Sequence, residues 1–209
     1  MLGVIILAGG KGNRIGGNKP FMKLGDRSLI FHVLEVSSKV SDETIVVVGR
    51  DRIKRFEGLL PKEVKIVMDI KSGGGPLIGV YSGLKHLRSE YALVLPCDSP
   101  FISEGVLKYL IAKAEGADAV IPSWPSGYME PLHSIYKVSA AIKASESAME
   151  EGAFRIYNMI ERLEKAIYIP VEELKRFDLD LLTFFNINST EDLKNAETIL
   201  KLKNLKTDL

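Results

Sequence analysis

A single cysteine, Cys97, in 209 residues means that no disulfide can form within the chain and no cysteine-rich zinc site can be assembled from it. Excess charge of either sign is also missing. Lys plus Arg is 28 against 27 for Asp plus Glu, a net charge of +1, so there is no bulk field to draw in nucleic acid or an anionic membrane. Any attraction for an anion must be local. The longest apolar stretch near the start, within MLGVIILAGG, runs for about seven residues, far below the roughly 20 that span a bilayer, and no basic leader precedes it. The expectation is a soluble, cytoplasmic protein. Internal repeats, low-complexity tracts and long linkers are absent from the sequence, and its length suits one domain with a large core.

What is present is a rhythm. Short β-branched runs at residues 4–7, 45–48, 64–68, 92–95 and 119–121 each end in a breaker or a polar cluster, as buried parallel strands do. Helical spacing fills residues 28–38, 78–87 and 106–114 between them. The alternation predicts an α/β fold, a three-layer Rossmann-like arrangement with a mostly parallel sheet and helices on both faces. After residue 122 the pattern loosens. SWPSGYMEPLHSIY predicts a hairpin or irregular excursion, helices follow over 139–150 and 153–162, and a short strand over 167–169. TFFNINSTEDLKNAETILKLKNLK predicts a strand, a turn with Ser189 or Thr190 as N-cap, and a helix that is acidic first and basic last.

Directly after the first apolar run comes AGGKGNRIGGNKP, with five glycines and three cationic residues in thirteen positions. A strand ending in such a loop leaves backbone N–H groups free to converge on an anion, and glycine lets a phosphate approach without a Cβ in the way. The Walker A pattern fails, because Lys19 follows Asn18 and precedes Pro20, with no hydroxyl residue behind it. The G-x-G-x-x-G dinucleotide pattern fails at Ile15. Arg14 and Lys19 add the positive charge that suits a triphosphate attacked at its α-phosphorus; the bland alternative is a glycine turn with solvated cations.

LPCDSPF places Asp98 just past the carboxyl end of a predicted strand, the edge at which open α/β sheets bind ligands. A carboxylate there beside phosphates suits Mg2+, whereas the structural alternative, a helix cap, falls more naturally to Ser103. Asn186 and Asn188 alternate with Ile187 and so share a face, although a turn-forming asparagine is the commoner explanation. Cys97, between apolar residues and proline, reads as a buried filler. Trp124 and Tyr128 could stack on a ligand or pack in a core.

Taken together, LAGGKGNRIGGNKP, MDIKSGGGPLIGVYSGL, LPCDSPFI, MEPLHSIY and FFNINSTEDL, in this order, resemble the molybdenum cofactor guanylyltransferase family of nucleotidyltransferases, over most of the chain. The resemblance implies a nucleotide-diphospho-sugar transferase, or glycosyltransferase-A-like, fold as one nucleotidyltransferase domain, with residues 1–122 as the GTP-binding half and 123–209 as the acceptor side. It implies nucleotide contacts at Leu7, Ala8, Gly9, Gly10, Gly12, Lys19, Asp69, Gly75, Pro76, Leu77 and Asp98. Arg14, Lys19 and Asp98 would carry the catalysis. Asp98 would hold Mg2+, with Asn186 and Asn188 near the metal and the acceptor, and Glu130, His133 and Arg155 are acceptor-side candidates; the other reading of His133 is a packed strand histidine.

The activity implied is transfer of GMP from GTP to molybdopterin or its molybdenum-loaded form, with pyrophosphate released and transient contact with a molybdenum-insertion protein or an acceptor enzyme. Neither nucleic acid nor membrane enters this scheme. Asn18 where the family has Asp, Gly49 where some members have Asn, and Ser99 for the usual Thr are departures. A cobinamide-phosphate guanylyltransferase shares the AGGKG loop and the FNIN ending, while GGGPLIG and PCDSPF favour the molybdopterin branch. A cytidylyltransferase would have Ala at Gly9, sugar nucleotidyltransferases carry a longer loop before the lysine, and a GTP-binding module without catalysis is the reading from another class.

Overall fold

The computed structural model describes residues 1–9, 19–71 and 75–207. In chain order its strands are β1 (Leu2–Leu7), β2 (Lys23–Leu24), β3 (Arg27–Ser28), β4 (Glu43–Val48), β5 (Val64–Met68), β6 (Tyr91–Pro96), β7 (Ala119–Ser123), β8 (Ser134–Lys137) and β9 (Ala166–Pro170). The helices are α1 (Leu29–Ser37), α2 (Gly75–Leu84), α3 (Glu104–Ala112), α4 (Val138–Glu150), α5 (Ile156–Ile160), α6 (Val171–Leu174) and α7 (Thr190–Thr207). None of the described helices is long and apolar enough to cross a membrane.

Seven strands form one sheet in the order β5-β4-β1-β6-β8-β7-β9, with β2 and β3 as a separate small ribbon. All five expected parallel strands are there, and β9 joins them parallel to β7. Only β8 runs the other way, antiparallel to both β6 and β7. Because side chains alternate across a strand, β1 sends Val4 and Ile6 to one face and Ile5 to the other, all fully buried. On the first face α1, α3 and α6 pack with Val33, Leu107 and Leu174. The second carries α2, α4 and α5 through Val80, Ala144 and Met159. A sheet covered on both faces explains why its strands read as continuous apolar runs.

From β1 the chain moves outward to β4 and β5, then returns through α2 to β6 on β1's other flank. Successive connections therefore leave β1 and β6 in opposite directions. The crevice at the carboxyl ends of these two neighbours is the topological switch point, where such sheets bind ligands. The register pairs Leu7 with Pro96, so the segments after both strands emerge side by side.

Two expectations give way. The predicted strand before the last helix is instead a 3-10 turn, Leu182–Phe184, entered through Leu181 at φ 52°, followed by an extended stretch outside the sheet. Its alternation is real, with Ile187 fully buried between the more exposed Asn186 and Asn188, but the partner of the Ile187 N–H is the Asp98 carbonyl at 3.0 Å rather than a ladder. The helix expected over 153–162 shrinks to the five residues of α5.

Gly83 faces β1 from α2, and a Cβ there would lie 2.7, 2.9 and 3.0 Å from three carbons of the buried Ile5 side chain. Gly83→Val should therefore destabilise the fold by about 1–3 kcal/mol through overpacking, visible as a melting temperature lowered by several degrees. An unchanged melting temperature would mean that α2 can move off the sheet.

Candidate active site at the ends of β1 and β6

The site forms where β1 runs out. The Ala8 N–H donates to the Val47 carbonyl at 2.8 Å, holding the chain against β4 as it leaves the sheet. Gly9 then passes so close to its neighbours that a Cβ would lie 2.9 Å from Asp69 Oδ2 and 3.4 Å from the Gly49 nitrogen. Gly10, Gly12 and Arg14 lie outside the described residues.

Lys19 re-enters on a 3-10 turn, Lys19–Phe21, anchored by buried Pro20 and by Phe21 against Phe56 at a ring separation of 4.6 Å. Its ammonium pairs with Asp98 Oδ2 and donates to Asn188 Oδ1 at 2.9 Å. The Lys19 and Asp98 side chains are only 16% and 15% exposed, so the pair is screened far less than a surface salt bridge. Asp98 lies one residue beyond the end of β6, after Cys97, whose N–H donates to the Leu7 carbonyl at 3.2 Å, and Ser103 rather than Asp98 caps α3. Asp98 is therefore free of helix-capping duty.

The amide pair is built in by two routes. Asn188 and Ser189 donate their backbone N–H groups to Asp192 Oδ2, both at 2.8 Å, while Ser189 Oγ accepts from the Asp192 N–H at 3.1 Å. These bonds at the start of α7, the backbone N–H of Asn188 foremost, hold the Asp192 carboxyl below its ordinary range, with nearby Lys19 adding to the effect. Asn186 is tied from the other side: its Oδ1 accepts from Ser99 Oγ.

Asp69 occupies the opposite wall. Its N–H donates to the Val48 carbonyl at 2.9 Å, and Arg50 fixes the next turn by donating to the carbonyls of Asp69 at 3.1 Å and Ile70 at 2.8 Å. The carboxyl lies between Gly9 and Gly79, where Cβ atoms would approach it to 2.9 and 3.4 Å. Its Oδ1 is buried and takes no hydrogen bond from any described residue. Burial without compensation pushes the Asp69 carboxyl up to about 6.

Leu77 is fully buried and can offer only backbone, and Gly75, at φ +72°, opens α2 ahead of Pro76. The acceptor-side candidates separate. Arg155 is exposed, next to Phe154, whose carbonyl lies against Gly75 and whose ring carries the Lys71 ammonium at 4.5 Å. Glu130 and His133 have side chains only 11% and 1% exposed, turned inward against Trp124, Phe184 and Ser99, a poor position from which to touch a bound acceptor. Tyr128 stays exposed, and burial pushes the Cys97 thiol well up, as suits an inert filler.

Sequence reasoning missed the parts that hold the site together: Arg50, Asp192 and the inward-facing Ser99. Ser99 stands in the sequence as a mild change from Thr, and its single signal is its place beside Asp98.

The chain is similar to known proteins. The model of the MobA-like NTP transferase domain matches residues 4–166. A protein of Methanosarcina mazei named "Probable molybdenum cofactor guanylyltransferase" is 34% identical over 91% of this chain and 88% of its own. A Desulfosudis oleivorans protein named molybdenum cofactor guanylyltransferase is 32% identical over 94% of this chain and 95% of its own. Among solved structures, molybdopterin-guanine dinucleotide biosynthesis protein A from Archaeoglobus fulgidus superposes with a TM-score of 0.81 at 35% identity, covering 95% of this chain and 98% of that one.

The orphaned Asp69 generates a prediction. Below its ordinary value of 3.8 the carboxyl is protonated in both folded and unfolded chains, so burial costs nothing. As pH rises toward 6 the unfolded chain loses the proton first, so stability falls across that window and levels off above it. Asp69→Asn should therefore unfold at a higher temperature than the parent at pH ~7.5, by on the order of 1 kcal/mol after allowance for partial exposure. The two should coincide near pH ~3, below the unfolded value. Thermal melts at both pH values decide it, and equal melting temperatures at the higher pH would remove the desolvation argument.

Proposed function

The chain belongs to the molybdenum cofactor guanylyltransferase family, and we propose from that premise that it transfers GMP from GTP to the terminal phosphate of molybdopterin, releasing pyrophosphate. The observation that carries this reading is the convergence of Lys19, Asp98 and Asn188 beside the strand-end loop at the β1/β6 crevice, with Asp69 across from them. An oxygen of the acceptor's terminal phosphate attacks the α-phosphorus of GTP. The bond from that phosphorus to the bridging oxygen breaks, and pyrophosphate leaves with the electron pair.

Both partners are anions and the attacking phosphate is already ionised near neutral pH, so the work of the protein is positioning and charge neutralisation. Lys19 spends two of its three N–H donors on Asp98 and Asn188 among the described residues, which leaves one for a phosphate oxygen. Its ammonium is held in place before substrate arrives, so little reorganisation is needed as charge builds on the leaving oxygens. Arg14 and the glycine-rich backbone at Gly10 and Gly12 supply the remaining cationic cradle in this reading. On the far wall the Asp69 carboxylate, whose Oδ1 has no partner among the described residues, receives donors from the nucleotide, beside the backbone of Leu7, Ala8, Gly9 and of Gly75, Pro76 and Leu77.

The donor set fits Mg2+. No cluster of three or more His, Cys, Asp or Glu able to hold a metal occurs among the described residues, whereas one carboxylate with neutral amide oxygens nearby suits a hard cation that keeps water and takes substrate phosphates. Asp98 would hold it, with Asn188 and Asn186 beside it, and when bound it would draw negative charge off the phosphate oxygens. Residues 123–209 serve the acceptor, with Arg155 as the exposed cation for its phosphate, in molybdopterin or its metal-loaded form. We place the reaction in the cytoplasm, where the product can pass to a molybdenum-insertion protein or a receiving enzyme.

Incubation with GTP, Mg2+ and molybdopterin, in parallel with cobinamide phosphate and with CTP in place of GTP, tests the assignment. Pyrophosphate release confined to GTP with molybdopterin is expected; GTP binding without release for any acceptor would overturn it. Asp98→Ala should reduce transfer by roughly 1000-fold or more and Lys19→Met by roughly 100-fold, with far-ultraviolet circular dichroism unchanged. Near-normal turnover in Asp98→Ala would disprove the metal assignment.

A further inference from the structure

We propose that His133 is a positioning residue, one that fixes the amide of Asn186 beside Asp98 by setting the direction in which the Ser99 hydroxyl points; the proposal rests on the guanylyltransferase reading of the site. His133 is 1% exposed, at the end of a turn made rigid by the His133 N–H and the Ser134 hydroxyl, both donating to the Glu130 carbonyl at 3.0 and 2.7 Å. Because β8 runs antiparallel to β6 and pairs Ser134 with Val94, this turn arrives at the carboxyl end of β6, behind Asp98 and Ser99.

A hydroxyl has one proton to give. Ser99 Oγ gives its proton to Asn186 Oδ1, so toward His133 Nε2, at 3.0 Å, it accepts, and the imidazole carries its proton on Nε2. Glu130, whose Oε1 accepts from Trp124 Nε1 at 2.8 Å, faces the other ring nitrogen at 3.7 Å, beyond hydrogen-bond reach. Phe184 closes over the imidazole edge-on at a ring separation of 5.3 Å. The ring is thereby packed in one orientation.

The consequence runs outward. Asn186 presents its oxygen to Ser99 and its Nδ2 to the Phe184 carbonyl at 3.4 Å, and a flipped amide would set oxygen against that carbonyl. With Asn186 fixed and the Ile187 N–H bonded to the Asp98 carbonyl, Asn188 is brought to Lys19 and Asp98 in a single geometry. A relay from the acceptor-side turn therefore ends on the nucleotide clamp. A histidine that merely fills space would not depend on the donor at Nε2, and this separates the two roles.

The test uses His133→Leu, which keeps bulk without the donor, His133→Gln, whose carboxamide nitrogen can replace Nε2, Asn186→Ala, and the double variant His133→Leu with Asn186→Ala. Two readouts apply: the apparent affinity for Mn2+ in the presence of GTP without acceptor, by electron paramagnetic resonance, and kcat against KM for GTP in the transfer assay. His133→Leu should weaken Mn2+ binding and lower kcat by roughly 10- to 100-fold while KM for GTP stays within about 2-fold. His133→Gln should recover most of this loss, and the double variant should be no worse than Asn186→Ala alone.

Additive losses in the double variant, a Gln variant no better than the Leu variant, or unchanged Mn2+ binding in His133→Leu would each overturn the proposal. Ser99→Ala removes the middle link and must show the same split, which keeps the test decisive should His133→Leu not fold. A parent protein that neither binds Mn2+ with GTP nor transfers GMP would instead refute the guanylyltransferase reading, and this inference with it.

Discussion

The ammonium of Lys19, shared between Asp98 and Asn188, joins three segments distant in sequence at one point of the sheet edge. A carboxylate at the end of a buried strand is costly unless something compensates its charge, and here the compensation comes from the residue that closes the glycine-rich loop. The pair can exist because β1 and β6 are parallel neighbours in register, which sets their outgoing segments side by side. The apolar layers on both faces serve that register, since Ile5, Val94 and Leu95 would each change face with a slip of one residue.

The two acidic side chains of the crevice are treated oppositely. Asp98 has its charge partner in place, whereas Asp69 is left half-buried with an oxygen unpaired among the described residues and a carboxyl pushed toward neutrality. One wall thus presents a charge-paired carboxylate and the other a carboxyl oxygen that no described residue satisfies. That asymmetry fits a nucleotide lying across the crevice, with its charged end and its hydrogen-bonding end read by different strands. A Cβ at Gly9 would crowd the Asp69 carboxyl at 2.9 Å, and one at Gly79 would press on Leu7 Cδ2 at 3.1 Å.

Much of this was legible in the sequence. The central strands and the helices between them carry burial on both faces, and their apolar runs with breakers state it directly. That Asp98 and Lys19 meet at the crevice was legible, since one lies just past a strand end and the other closes a glycine-rich stretch of the sequence. What escaped were features set by distant partners. Residues 185–188 alternate like a strand, yet they dock by one backbone bond to Asp98 and never enter the sheet. Glu130 and His133 read as acceptor-side candidates, with a packed strand histidine as the other reading of His133, and it is the antiparallel course of β8 that brings His133 inward behind Ser99.

That antiparallel strand has a wider meaning for how the chain can be divided. A cut near residue 122 would separate the nucleotide-binding segments neatly in sequence, yet β8 is inserted between β6 and β7. Without it β6 would become an open edge, with Leu93 and Val94 on opposite faces and the backbone donors and acceptors on the side away from β1 unpaired. The later half of the chain is thus part of the scaffold on which the first half depends. Duplication or exchange of one half would have to carry β8 along, so the later half can diversify in its loops but cannot be traded as a module.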